Sequence, residues 1–366
     1  MNVLGSILGP LVAGFWLLPW LGERWAVVAL SLPLFGLALL TGWFGTDMPA
    51  SGFNPKLKFV FASAAAIVIV RFTHDYESRF AKREVRRDYT ATVIATGMGF
   101  DRDLVVNGIG MTSLTPITKY MAHLPLALMS RPAHNSLVIC FGMGTTFRSM
   151  LSWGIPSVAV DLVPSVPKLF GYFHADADKV AGSPLAHIVI DDGRRFLDGS
   201  HQLYDVIVVD PPPPPEATGS SLLYSREFYR VMKEHLSADG VVQVWYPAAD
   251  GDPATVASIA KAAQEVFPYV RAFRSFNGSG IHFLASMQRL QVPSAAILAS
   301  RLPSAAAADL SEWGPGGTAE AQFQAVLSQE LSLSTLIAGD RRVPALSDDE
   351  PINEYYLLRN WFHAYR

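Results

Sequence analysis

The chain has 366 residues, a formal net charge of −3 and one cysteine, Cys140. The mild acidity, with no basic stripe outside one short segment, excludes a nucleic-acid binder. A lone cysteine excludes an internal disulfide and a cysteine-rich metal site, so a reducing compartment is expected.

Residues 1–22 carry no charged side chain, and residues 25–46 form a second uncharged run. Each is close to the roughly 20 residues a helix needs to cross a bilayer, so two adjacent spans are expected. A cleaved signal peptide is not expected, because no basic leader precedes the first run and a second follows at once. A third run, residues 59–70, is short and reads either as a span, with Lys56 and Lys58 snorkelling outward, or as an interfacial helix. Arg71, Arg79, Lys82, Arg83, Arg86 and Arg87 come next. Basic residues beside a membrane segment mark the cytoplasmic side, which predicts a multi-pass inner (plasma) membrane protein with its catalytic domain in the cytoplasm.

Beyond this cluster, residues 90–95 alternate as a strand does, residues 97–102 are turn-like, and residues 103–106 lead into Asn107-Gly108, a hairpin signal. A small antiparallel β-module is expected there. Apolar strand runs at 136–141, 157–160, 187–190, 205–209 and 241–245 then alternate with helical stretches. This pattern predicts an α/β fold with a doubly wound, Rossmann-like parallel sheet. Residues 295–329 are rich in alanine and serine and read as helices joined by a loop at 314–317. The expected organisation is transmembrane helices at 1–72, a basic juxtamembrane linker at 73–88, the β-hairpin module at 89–116, a nucleoside-binding catalytic domain at 117–290 and a helical extension at 291–366.

The first strand-to-helix turn reads Cys140-Phe141-Gly142-Met143-Gly144-Thr145. Gly142 and Gly144 let the backbone approach a ligand, although a tight turn needs glycine for its own sake. The second strand ends at Asp161, where a carboxylate can accept from both ribose hydroxyls. The third ends at Asp191-Asp192-Gly193, within reach of an adenine amino group, and the fourth at Asp210, followed by five prolines. Carboxylates at the ends of successive parallel strands converge on the crevice where such sheets bind ligands. A dinucleotide fingerprint needs a third glycine where this chain has Phe147, which argues against a nicotinamide or flavin enzyme.

Taken in order, the Asn107-Gly108 hairpin, Met121-Ala122-His123-Leu124-Pro125, the glycine turn, Asp161-Leu162-Val163-Pro164-Ser165-Val166, Asp192-Gly193-Arg194-Arg195-Phe196-Leu197, Tyr204-Asp205-Val206-Ile207-Val208-Val209-Asp210 and Leu223-Tyr224-Ser225-Arg226-Glu227-Phe228-Tyr229 resemble the spermidine synthase (aminopropyltransferase) family. The likeness runs from about residue 90 to 286 and is strongest to bacterial members fused to membrane segments, whose tails are similar to the stretch around Asp348-Asp349. It implies S-adenosylmethionine or its decarboxylated form as co-substrate, and no metal. Asp161 would bind ribose, Asp192 and Gly193 the adenine edge, and Asp210 would take the proton of an attacking amine, which needs a free lone pair. Tyr224 and Gln243 are candidates for the crevice wall, or else a core tyrosine and a strand glutamine. His123 reads as structural.

Three positions depart from the family pattern. Met143 and Pro213 stand where soluble members carry aspartates, and Ile117-Thr118-Lys119 stands near their Tyr-His-Glu. Burying an ammonium without a partner costs several kcal/mol, so the polyamine half is expected to be altered. Lys119 is placed either on the exposed surface or in the site against the carboxylate of intact S-adenosylmethionine. The expected reaction is aminopropyl-type transfer, or an intramolecular lyase or cyclase variant, releasing methylthioadenosine. Alternatives are a methyltransferase, because Asp210-Pro211-Pro212 resembles the Asp-Pro-Pro-aromatic turn of amino-group methyltransferases, and a non-catalytic nucleoside-binding membrane sensor. Expected partners are a small-molecule substrate, the membrane and a second copy of the chain in a homo-oligomer, with no nucleic acid.

Overall fold

A computed structural model describes residues 2–44, 55–211, 215–247, 252–313, 317–355 and 361. Pro213, most of the 314–317 loop and the side chains of Lys56 and Lys58 lie outside the described residues.

The apolar amino-terminal sequence is helical: α1 (Asn2–Val12) continues through a π-helical turn at Ala13–Leu17 into α2 (Leu18–Phe44). Gly22, with φ 74° and ψ 173°, bends this path where the two uncharged runs meet. Of the expected two or three spans, the described residues contain one helical stretch long and apolar enough to cross a membrane, Val3–Ala38. The third run lies in α3 (Pro55–Phe72), and its apolar part, Phe59–Phe72, is shorter.

Strands β1 (Arg83–Arg87), β2 (Thr92–Thr96), β3 (Asp103–Val106) and β4 (Ile109–Ser113) form an antiparallel sheet in chain order. Asn107 and Gly108 both take positive φ, 50° and 81°, the geometry a two-residue hairpin needs. The reading of residues 73–88 as a linker is corrected in part, because five of them are strand β1, with Val85 opposite Ile94. A strand with arginine at both ends suits a sheet edge, which charge protects from further pairing.

The main sheet follows. Helix α4 (Ile117–Leu128) leads to β5 (Ser136–Ile139), α5 (Thr145–Leu151), β6 (Ser157–Asp161), α6 (Phe170–Phe173), α7 (Ala177–Ala181), β7 (Ala186–Ile190), α8 (Gly193–Asp198), β8 (Tyr204–Val209), α9 (Arg226–Glu234) and β9 (Leu236–Tyr246). Helix α10 (Pro253–Val266) precedes β10 (Tyr269–Arg274) and β11 (Ile281–Ser286). The carboxyl-terminal part supplies α11 (Ala295–Ser300), α12 (Ser304–Ser311), α13 (Ala319–Leu327), β12 (Glu330–Leu331) and α14 (Leu333–Ala338). The strand order is β12-β10-β11-β9-β8-β5-β6-β7, with β5 to β9 parallel and β10 to β12 antiparallel. Val206 and Val208 of β8 face a core that includes α4, α5, α12 and α13, whereas Ile207 and Val209 face one that includes α8, α9 and α10.

The extension is welded to the sheet by buried charge. Asp309 on α12 accepts from Lys119 Nζ at 3.0 Å, His123 Nε2 at 2.8 Å, Ser149 Oγ at 2.6 Å and the Arg148 guanidinium. Burial works to raise its pKa, but the hydrogen bond and charge of His123, the charge of Lys119 and the Ser149 bond hold it well below the usual carboxylate range. Lys119 is fully buried, also bonds Glu312 at 2.7 Å, and lies 4.1 Å from the Trp313 ring centroid. It is therefore neither an exposed lysine nor a ligand for a substrate carboxylate, and that expectation is corrected. His123 accepts from Trp153 Nε1 at 2.9 Å and is locked in the same network.

Removing one member of a buried charge set strands the others, at a typical cost of about 3–5 kcal/mol. Asp309→Ala should lower the stability of the full chain by about that amount. Urea unfolding of the detergent-solubilised protein measures it.

Candidate active site

After β5 the chain runs outward to β6 and β7 and then returns across β5 to β8, which opens a crevice at the carboxyl ends of β5 and β8. Asp161 ends β6, Asp192 follows β7 and Asp210 follows β8. The three acids are neighbours. Burial, and then the charges of Asp161, Asp210 and Asp192, push the Cys140 thiol in the adjoining turn well above its ordinary pKa.

That turn is forced by its own packing. Gly142 and Gly144 have φ of 54° and 79°, and Cys140 itself sits at 71°. A Cβ on Gly144 would stand 2.5 Å from the Phe170 ring and 2.7 Å from that of Phe141, so no side chain fits. Over Gly142 the only neighbour within 4 Å among the described residues is Thr112 Cγ2, at 3.9 Å. Gly193 is a packing position, since its Cβ would meet Ile139 Cγ2 at 2.4 Å and hold α8 off β5.

Asp161 accepts from the backbone N–H groups of Phe141 and Val163, each at 2.8 Å, one on each oxygen. Burial raises its pKa against those bonds. The backbone N–H of Gly142 also acts on this carboxylate. Of its roughly four acceptor positions, some remain for an incoming hydroxyl. Asp192 is exposed and caps α8 by accepting from Arg195 N at 2.9 Å on Oδ1. That bond leaves Oδ2 without a protein partner among the described residues.

Asp210 Oδ2 lies 2.8 Å from Thr146 Oγ1, which is also 3.1 Å from the carbonyl of Thr118. Burial pushes the Asp210 pKa up to about 7, and the Thr146 hydrogen bond only partly offsets it. A hydroxyl has one hydrogen. When Asp210 is ionised, Thr146 donates to it. When Asp210 is protonated, its O–H donates to Thr146, which then donates to Thr118. The carboxyl thus has a partner in both states, as an acid–base group working near neutrality needs.

Tyr224 is buried edge-on to Tyr246 at 5.4 Å, and its hydroxyl has no partner among the described residues. It packs in the cluster that borders Cys140, and burial first, then the charges around it, Asp210 included, raise its pKa. Gln243 lies deeper than expected. It pairs with Val208, two residues short of Asp210, and its amide nitrogen bonds His282 Nδ1 at 2.8 Å inside the sheet. Its reading as a crevice residue is corrected. At the level of Asp210, β9 instead presents Trp245, half-buried, with its indole N–H on Ser275 Oγ at 3.2 Å.

Other residues escaped the sequence reading. Asp88 joins the β-module to the loop after Asp161 by accepting from Thr90 N, Ala91 N and Ser165 N at 2.7, 3.0 and 2.7 Å. Leu162 and Ile190 stand in solvent at the ends of β6 and β7, 57% and 42% exposed. Their signal was an apolar residue beside a strand-end acid, where a solvated loop would be polar. Met143 is buried in the core, so the turn offers no carboxylate of its own.

The comparisons agree with this geometry. Residues 115–287 match the model of the spermine/spermidine synthase domain. The chain is 31% identical over 221 residues to polyamine aminopropyltransferase 2 of Hyperthermus butylicus, a match covering 55% of this chain and 72% of that protein. It is 26% identical over 210 residues to polyamine aminopropyltransferase 2 of Pseudomonas aeruginosa, where the match spans 59% of the relative. In fold it is similar to a probable spermidine synthase from Corynebacterium glutamicum, with TM-score 0.53 and 15% identity over 73% of this chain and 96% of that one. It is also similar to the spermidine synthase from Thermotoga maritima, with TM-score 0.50 and 19% identity over 62% and 86%. A parallel sheet with acids converging on its switch point defines a doubly wound α/β protein whose ligand crevice lies at the carboxyl ends of the strands. The chain belongs to the spermine/spermidine synthase family of transferases.

The raised Asp210 pKa has a consequence for stability. Its protonated form is favoured in the fold, so the stability it contributes is fully present below the ordinary 3.8 and is lost as pH rises through about 7. The thermal midpoint should therefore fall less between about pH 5 and about pH 8 in Asp210→Asn than in the wild type. Parallel slopes would place Asp210 in an ordinary solvated setting.

Proposed function

We propose that this chain is a membrane-anchored, spermidine-synthase-like enzyme that transfers an aminopropyl group from decarboxylated S-adenosylmethionine to an amine. The reading is carried by one observation, the carboxyl of Asp210 poised near neutrality beside the Gly142 turn. The nucleoside would lie over Gly142, with its ribose on Asp161, its adenine edge on Asp192 and its ring between Leu162 and Ile190. The amine nitrogen attacks the methylene carbon next to the sulfonium. A C–N bond forms, the C–S electron pair returns to sulfur to give neutral methylthioadenosine, and Asp210 receives the amine proton.

Buried Met143 favours a second reading at the same site, since it leaves one fewer anion for a diamine. Here intact S-adenosylmethionine is the substrate, and its own carboxylate or α-carbon attacks with release of the same nucleoside. Anchoring rests on the exposed, apolar Val3–Ala38 stretch, and a multi-pass inner-membrane arrangement would require α3 as a further span.

Detergent-purified chain incubated with either sulfonium nucleoside, with and without diamines, should release methylthioadenosine detectable by mass spectrometry. S-adenosylhomocysteine as the product would replace transfer of the propyl chain by methyl transfer. Asp210→Asn should lower kcat by about 10²–10⁴ and leave methylthioadenosine binding within about twofold. Alkaline extraction of membranes should leave the chain in the pellet, and recovery in the supernatant would remove the anchor.

A further inference from the structure

The carboxyl-terminal tail, rooted in the core at Leu346, lies outside the set of strand-end acids and is held by a dense set of hydrogen bonds. It starts from Leu346, whose N–H donates to Ser258 O at 3.1 Å and whose carbonyl accepts from Arg226 N at 2.9 Å. Asp348 then accepts from Arg194 Nη1 at 2.7 Å, and Arg194 lies two residues after Asp192 on α8. The chain next turns back, and Glu354 Oε1 accepts from Gly219 N at 2.9 Å, Ser221 N at 3.1 Å and the Ser221 hydroxyl. Asn353 is buried, and its amide nitrogen donates to Ser220 Oγ at 2.8 Å and to the carbonyl of Pro215. One short stretch thus grips both the helix capped by Asp192 and the loop that returns from Asp210.

The gripped loop leads into Tyr224, which packs in the cluster that borders Cys140. Residues 220–223 form a single 3-10 turn, and the N–H of Tyr224 donates to Ser221 O at 2.9 Å, so fixing Ser221 fixes Tyr224. The loop amides held by Glu354 have no helix or strand partner to replace it. Gly219, at φ 86°, has nothing within 4 Å of its Cβ position among the described residues, so none of their side chains packs on the loop at that point. A carboxylate accepting three donors at once is among the stronger local restraints available.

We propose that Asn353 and Glu354 are positioning residues for the active site: they hold residues 215–224 in place so that the buried hydroxyl of Tyr224, without a partner among the described residues, faces the reacting group of the acceptor beside Asp210. The inference rests on the proposed reaction for its kinetic consequence but not for its structural one. Asn353 and Glu354 act on the acceptor side, while the tail's bond toward the nucleoside half comes from a different residue, Asp348, on Arg194.

The test uses the full chain in detergent and the variants Glu354→Ala, Glu354→Gln and Asn353→Ala. Hydrogen exchange should show faster exchange in Glu354→Ala at the amides of Gly219, Ser221 and Tyr224. Protection in β5 to β8 and the Kd for methylthioadenosine should stay within about twofold of wild type. In the product assay, Glu354→Ala and Asn353→Ala should lose about 10- to 100-fold in kcat, the scale of a misplaced site group. Glu354→Gln keeps a carbonyl oxygen that accepts the same three donors, and should retain most of the protection and the rate. Unchanged exchange at Gly219 and Ser221 in Glu354→Ala would overturn the proposal. Equal losses in methylthioadenosine affinity and turnover would also overturn it, by making the tail a general scaffold. If the wild type turns over no sulfonium nucleoside, the proposed reaction fails, and the exchange measurement still decides whether the tail holds the loop.

Discussion

The structure depends on a buried carboxylate that must be satisfied from several directions. Asp309 has its oxygens filled by a lysine, an arginine, a histidine and a serine drawn from α4 and α5. An isolated ion in that position would be untenable, so the helices supplying the donors cannot move independently of α12. Helix α5 also carries Thr146, which meets Asp210. The setting of the Asp210 carboxyl is therefore tied to an electrostatic lock one turn along the same helix. An extension that reads as an alanine-rich appendage thus belongs to the frame that holds Asp210.

A similar dependence runs through the β-module. Asp88 closes the turn after β1 and reaches the loop behind Asp161, so the small sheet is fastened to the proposed ribose-binding loop. The loop after β6 is thereby braced by the module, and the loop before Tyr224 by the tail, while the sheet between them supplies the common floor.

Much of this was legible in the sequence because short parallel strands buried on both faces advertise themselves as apolar runs, and an acid at the end of such a run has few other reasons to be there. Asp161 and Asp210 were found that way, and the structure places them beside Asp192 around Cys140. Lys119 was misread because its partner Asp309 lies 190 positions away, and nothing local shows that a lysine has a buried counter-ion. Gln243 was misread by two residues of register, which an alternating strand does not reveal. Strand β1 was hidden because its charges looked like a membrane flank, and an edge strand with one wet face carries such charges too.

The conformation of Cys140 has a chemical corollary. This is the sole sulfhydryl of the chain, and the acids and apolar walls about it keep it in the thiol form at physiological pH. Thiolate is the species that alkylating agents and peroxides attack. The acids and the burial around Cys140 thereby passivate its sulfur, so the sole thiol of the chain sits among three carboxylates with little exposure to alkylation or oxidation.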